Sequence, residues 1–297
     1  MPRLKLGLRR CWALASFSHS HSPHTFFIPH PTLDLFITYP FVRNALIAMV
    51  CLSVLSGVVG SYVVVRRMVF AAGGVTHASF GGIGLAYLLG LNPTLGALAF
   101  AVVTALSIHF STRRGSLRSD SAIAILWSLG MAVGVIALSL APGYAPNLMG
   151  FMFGDVLAVS IADVWANIGA ALVAVLLAVL FYRPLLYSSF DPDYARLAGW
   201  HPDVVSLVAW VVMALAISLS IKAVGIILVL SVFTIPQAIV MSFSHRFATI
   251  MVTSALVALV GCVGGLALSF AFDLPSGAVI TALLCLVLLI IKIIKKS

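Results

Sequence analysis

Nine blocks of apolar residues, each near the length needed to cross a bilayer, follow one another through the chain and leave few folds open. A helical crossing takes about 17–25 predominantly apolar residues, and only helices or closed barrels satisfy the backbone where no water is present. The blocks are 38–65, 75–89, 94–110, 121–141, 161–182, 204–221, 224–243, 248–272 and 276–293. The second and third are short, so eight spans is the alternative count. Either count gives an all-α polytopic bundle. Composition excludes the soluble classes, since 62% of residues are hydrophobic and 8% charged, and the mean hydropathy is +1.17.

The few charges are arranged rather than scattered. All 8 acidic residues are Asp, and a net charge of +9 comes mostly from short basic clusters between apolar blocks. Such clusters orient helices, and none is interleaved with aromatics on a soluble face, which argues against a nucleic-acid partner. If the loop after the first block is cytoplasmic, Arg66, Arg67, Arg113, Arg114, Arg118, Arg183, Arg196, Arg246, Lys292, Lys295 and Lys296 share that side, with Arg43 and Lys222 opposite. The C-terminus is then cytoplasmic and, with nine crossings, the N-terminus lies outside. Cys11, Cys51, Cys262 and Cys285 show no CxxC spacing and read as small buried apolar residues, with a soft-ligand role as the lesser reading.

Residues 1–32 do not fit this pattern. They are basic and rich in Ser, His and Pro, without apolar periodicity or a clean signal-peptide cleavage site. The expectation is a disordered segment or an upstream extension outside the working protein, with residues 33–297 forming the transmembrane domain. His19, His21, His24 and His30 offer a metal-collecting tract as the minor alternative to a polar tail.

Small residues predict where helices approach closely: Ser53 with Gly57, Ser56 with Gly60, and the group Gly261, Gly264 and Gly265. Pro236, inside the seventh block, removes a backbone donor and predicts a kink or interruption, with Gln237 offering a polar side chain near the freed carbonyl. Broken helices in transporters often line the substrate path; a packing kink is the equal alternative.

Five stretches, GSYVVVRRM, THASFGGIGLAYLLGLNP, FMFGDVLAVS, FDPDYARLAG and AVGIILVLSVFTIPQA, carry a resemblance to the membrane subunit of the ABC importers for zinc, manganese or iron. They occur in the family's order across nearly all of the chain after its N-terminal segment. The resemblance implies a permease of the fold shared with cobalamin and siderophore importers, working as a homodimer in the bacterial inner membrane. It also implies a separate cytoplasmic ABC ATPase and an extracytoplasmic metal-binding protein, and no cofactor beyond the transported ion. The absence of a GxxxxGK[ST] loop agrees that any ATP chemistry belongs to a partner, so the chain itself is not read as an enzyme.

Two sites follow. The segment 189–202 resembles the coupling helix: Asp191 and Pro192 make a cap and first turn for a short helix through Asp193, Tyr194, Ala195, Arg196 and Leu197, ended by Gly199. An ordinary solvated loop is the competing reading. For the metal, the resemblance implies an Asp followed four residues later by His, on one helical face. His77 matches the His, whereas Gly73 stands at the Asp position. An ionisable group at membrane depth reads as functional, and divalent first-row metals favour imidazole and carboxylate. The missing carboxylate leaves a looser site, a different metal, or a ligand from elsewhere, for which Asp155 and Asp163 are the outer-side candidates. Asp155 also reads as a cap or hinge, and Asp273 as the cap of the last helix. Helix-end placement accounts for Arg66 and Arg67 without a role on a cation path. The competing functions are an ion-gradient transporter, disfavoured by the scarcity of intramembrane carboxylates, an ABC permease for a chelated metal, and an intramembrane hydrolase, for which no oxyanion-hole motif accompanies His77.

Overall fold

A computed structural model of the chain describes residues 40–113, 115, 118–141 and 159–296. Among these there is no strand. Eight helices are long and apolar enough to cross a membrane: α1 (Pro40–Val65), α2 (Val69–Leu88), α3 (Pro93–Arg113), α4 (Ser119–Leu140), α5 (Ile161–Leu180), α8 (Pro202–Val224), α11 (Phe247–Phe272) and α12 (Ser276–Lys296). Between α5 and α8 lie the short α6 (Tyr182–Phe190) and α7 (Pro192–Leu197). Between α8 and α11 the apolar block is split into α9 (Ile226–Val232) and α10 (Ile235–Met241).

Side-chain ties sort the helix ends. At one end of the bundle Asn44 Nδ2 donates to the Val159 carbonyl at 3.3 Å and Lys222 Nζ meets Asp163 Oδ1 at 2.7 Å. At the other, Arg113 pairs with Asp203 at 2.8 Å, Arg66 reaches the end of α6, and Lys295 donates to the Ser242 carbonyl. The split block therefore begins beside Lys222 and finishes beside Lys295, so it crosses the bundle. The described chain makes its crossings as eight continuous helices and one broken one: the second and third blocks, short in the sequence, are full crossings of 20 and 21 residues, and the interruption falls in the seventh block instead.

Helix α2 starts at Val69, six residues before the sequence-based boundary at Val75. A helix enclosed by other helices has no water competing for its amides, so Gly73 and Gly74 do not delay its start, and most of its later glycines serve packing. Of the long helices α2 is the most enclosed, with 78% of its most apolar stretch buried, against 17% for α12. A Cβ built on Gly81 would meet the Gly130 carbonyl of α4 at 2.6 Å, and one on Gly84 the Gly134 carbonyl at 2.5 Å. Gly82 and Gly96 oppose each other across α2 and α3 in the same way. These backbone-on-backbone crossings are the dispersion-driven contacts expected where lipid is as apolar as the helix surface.

The expected close approaches in α1 and α11 have particular partners. Gly57 faces Met251 and Ala255 of α11, Gly60 faces Gln237 and Phe233, and Gly261 and Gly265 face Leu284 and Ile280 of α12. Gly264 has only Leu283 in ordinary contact. Asp273 departs from its expected role: it closes α11 with φ 51° instead of capping α12. Cys51 and Cys262 are buried and free, and Cys285 is free and exposed.

Candidate functional site

The most sharply defined local structure outside the crossings is α7. Asp191 accepts a hydrogen bond from the Tyr194 amide at 2.9 Å, and Pro192 occupies the first turn, where its missing N–H costs nothing. The end is a Schellman motif: Trp200 N–H donates to Ala195 O at 2.9 Å and Gly199 N–H to Arg196 O at 3.0 Å. Gly199 takes φ 82°, a region that costs other residues about 1–2 kcal/mol. Gly199→Ala is accordingly expected to raise hydrogen exchange of the α7 amides roughly 5–30-fold; mass-resolved exchange of the purified protein checks it. Ala195 is fully buried, and Asp193 pairs with Arg196 on the open side at 2.7 Å.

The outward surface of α7 is unusual for a segment beyond the crossings. Leu197 is 87% exposed and Phe190 63%, with Tyr194 and Trp200 also open. Tyr194 is braced edge-on by Tyr187 of α6, ring centroids 5.0 Å apart. A rigid apolar patch facing water marks a docking surface.

Both flanks of this segment are held by arginines from distant crossings. Arg66, at the end of α1, donates from Nη1 to the carbonyls of Ser188 and Ser189 at 3.1 and 3.2 Å, and the Tyr62 hydroxyl lies near Arg66 and Ser206 of α8. Arg113 of α3 holds Asp203, just past the segment. Helix-end placement alone does not account for Arg66, which satisfies carbonyls that the end of α6 leaves open. Arg67 turns the chain with φ 55° and lines an open depression.

That depression has a volume of about 700 Å³ and lies between the start of α2, Trp127 of α4, and Leu230, Ser231 and Thr234 at the break of the split crossing. Gly73 and Phe70 line it from α2. His77, one turn beyond Gly73, stacks flat on Trp127, with centroids 4.4 Å apart and planes 8° from parallel. Stacking covers one ring face and leaves the nitrogens at the edge. Gly73 is not enforced by packing: a Cβ there would meet the Leu230 methyls at 3.7 and 4.0 Å, which is ordinary contact. Among the described residues no group of three or more His, Cys, Asp or Glu side chains could hold a metal, so His77 does not belong to a complete ligand set there. Asp155 lies outside the described residues, as do the N-terminal histidines. Asp163 is committed elsewhere: it pairs with Lys222 and completes the Ser160 capping box at the start of α5.

The break at Pro236 is stitched to α1. Proline at this position deprives the Val232 carbonyl of its helical donor, and Ser56 Oγ supplies one at 2.5 Å. Gln237, fully buried, donates to the Ser56 carbonyl at 2.7 Å and to its Oγ at 2.9 Å. Gln237 thus bonds across to α1, reaching the freed carbonyl only through Ser56, because Gly60 leaves room for its amide. Ser56 begins a π-helical turn, Ser56–Gly60, a distortion that leaves carbonyl groups available and recurs at functional positions. The sequence signal for this stitch was the Ser56/Gly60 pair, read only as a close approach; nothing in the sequence linked it to Gln237, 181 residues away.

Residues 38–295 match the ABC 3 transport family. The chain is 36% identical over 244 residues to an uncharacterized membrane protein of Synechocystis sp., covering 82% of this chain and 87% of that one. It is 30% identical over 245 residues to the manganese transport system membrane protein MntC of Halalkalibacterium halodurans, covering 82% and 84%. Among solved structures, PsaBC from Streptococcus pneumoniae in complex with Fab is similar with a TM-score of 0.78 at 26% identity, covering 87% of this chain and 93% of that chain.

Proposed function

The chain belongs to the ABC 3 transport family, and we propose that it is the membrane permease subunit of an ATP-driven importer of a divalent transition-metal ion, with manganese the first candidate cargo and zinc or iron the others. The observation that carries this reading is α7, a capped helix with a rigid, exposed apolar face outside the crossings. Docked against a cytoplasmic ATPase, it passes the closing motion of that subunit to the crossings as a rigid-body shift. The side bearing Arg66, Arg113, Arg196, Arg246 and Lys295 is then cytoplasmic, with the C-terminus, in accord with the excess of basic residues there. A second copy of the chain completes the path, an extracytoplasmic protein delivers the ion, and the setting is a bacterial cell membrane. Residues 33–297 constitute the transmembrane domain in this reading, and residues 1–32 an extension to it.

His77 is the proposed contact for the ion, beside the depression lined by Gly73 and Trp127. A single imidazole without a paired carboxylate holds a divalent ion loosely, which suits release. Manganese as the leading cargo rests on the similarity to MntC. An ion-gradient mechanism finds less support: Asp163 is the one buried carboxylate among the described residues, and Lys222 neutralises it.

The test is elemental analysis of cells lacking the permease, grown under chelation and complemented with wild type, His77→Ala or Gly73→Asp. Wild type is expected to restore one divalent metal, His77→Ala to fail at unchanged protein level, and Gly73→Asp, which the local space admits, to hold the ion more tightly and slow its release. If no divalent metal changes in the deletion strain, the metal assignment falls. Full uptake by His77→Ala removes His77 from the mechanism while leaving the importer reading intact.

A further inference from the structure

An apolar groove enters the bundle from the side between α5 and α11. Its floor is α1 at Val54 and Val58, its volume is about 540 Å³, and it opens past Val179 of α5 and Leu256 of α11. Behind Val58, Ala178 and Met251, which line both spaces, lies a second apolar cavity of about 310 Å³ reaching α6 and α8. Protein interiors leave few voids larger than a water molecule. Apolar cavities of this kind stay dry and take apolar guests.

The surroundings say which guest is available. On either side of the opening α5 exposes Leu172 and Leu176, and α11 exposes Val252 and Val260. Such a surface on a membrane-spanning bundle meets hydrocarbon wherever a second copy of the chain does not cover it. The groove runs toward the basic end of the bundle, where Tyr182 and Phe247 pack with ring centroids 6.1 Å apart. The next residue after Tyr182 is Arg183 and the residue before Phe247 is Arg246, both exposed. Among the described residues no ion pair engages either arginine, while Asp193 and Asp203 at this end are taken by Arg196 and Arg113. Two unpaired guanidinium groups beside the mouth of an acyl-sized groove form a site for a phosphate-bearing headgroup.

We propose that this groove holds one acyl chain of an anionic phospholipid of the surrounding bilayer, with its phosphate on Arg183 and Arg246. The chain fills the space against Val58, within the π-helical turn of α1, and the headgroup bridges the start of α6 to the start of α11. The site is independent of which ion the permease carries, since it uses none of the residues around His77, and it stands whether or not that cargo reading does.

Two experiments on the full-length, detergent-purified protein test it. In the first, phosphatidylglycerol with a diazirine on its acyl chain is photolysed with the protein in mixed micelles. The label is expected on peptides carrying Val54 and Val58, Val175 and Val179, and Met251 and Leu256. Label spread evenly over the exposed faces of α4 and α12 would overturn the groove. In the second, native mass spectrometry compares phosphatidylglycerol with phosphatidylcholine of the same chains. Wild type is expected to retain the anionic lipid at least tenfold better, and the double variant Arg183→Gln/Arg246→Gln to lose that preference while still being labelled in the groove. Equal retention of the two lipids by wild type, or an undiminished preference in the double variant, overturns the headgroup assignment. Ala178→Phe, which fills the wall between the two spaces, is expected to abolish the groove label; continued labelling of the same peptides in that variant also sinks the proposal.

Discussion

Gly82→Val is expected to remove folded permease from the membrane. The carbonyl of Gly96 in α3 lies where the new Cβ would sit, and the Phe100 Cβ is 2.6 Å from the same point. Neither neighbour is the flexible end of a side chain, so relief requires α2 and α3 to separate. Overpacking in a core ordinarily costs about 1–3 kcal/mol, and an obstruction by backbone lies at or beyond the top of that range. Against a total stability of about 5–15 kcal/mol, this is a large share for one residue. The measurement is the monodisperse peak of a fluorescently tagged protein after detergent extraction. Gly169→Val is the internal control, because nothing lies within 4 Å of a Cβ there, and its peak is expected to match wild type. A normal peak for Gly82→Val would mean that the α2–α3 crossing is looser than the structure shows.

Arg66→Ala is expected to separate ATP hydrolysis from transport. Its Nη1 holds two carbonyls at the end of α6, immediately before the helix proposed to dock on the ATPase. Hydrogen bonds from a charged donor contribute about 1.5–3 kcal/mol each, and every 1.4 kcal/mol is tenfold in an equilibrium. Loss of the pair should therefore lower the anchored population, and with it transport per ATP, by about tenfold or more. The bonds run from one nitrogen, so Arg66→Lys is expected to retain an intermediate ratio, which a general loss of stability would not reproduce. The assay is metal uptake and hydrolysis measured together in proteoliposomes containing the permease, its ATPase and its binding protein. An unchanged uptake-to-hydrolysis ratio in Arg66→Ala refutes the role of Arg66; a wild-type complex without ATP-dependent uptake refutes the importer reading itself.

Much of this architecture is local in origin and so was legible in the residues. The crossings follow from apolar runs because lipid offers the backbone no other partner. Their common basic side follows from Arg and Lys at the ends. The geometry of α7 follows from Asp191, Pro192 and Gly199, each acting within a few residues of its position. Even the interruption near Pro236 was written locally, in one missing N–H.

What the tertiary structure alone decided are contacts between residues far apart in the chain. Ser56 supplies the donor that Pro236 lacks, and Gln237 answers from the other side. Arg66 finds the end of α6, Lys222 takes Asp163 away from any metal, and Trp127 lies over His77. Nor did Gly73 reveal from sequence that space for a side chain was left beside Leu230. The physical reason is the same in each case. Periodicity, caps and charge placement are set by neighbours along one helix, whereas the partner of a buried polar group is whichever atom the packed helices bring within about 3 Å.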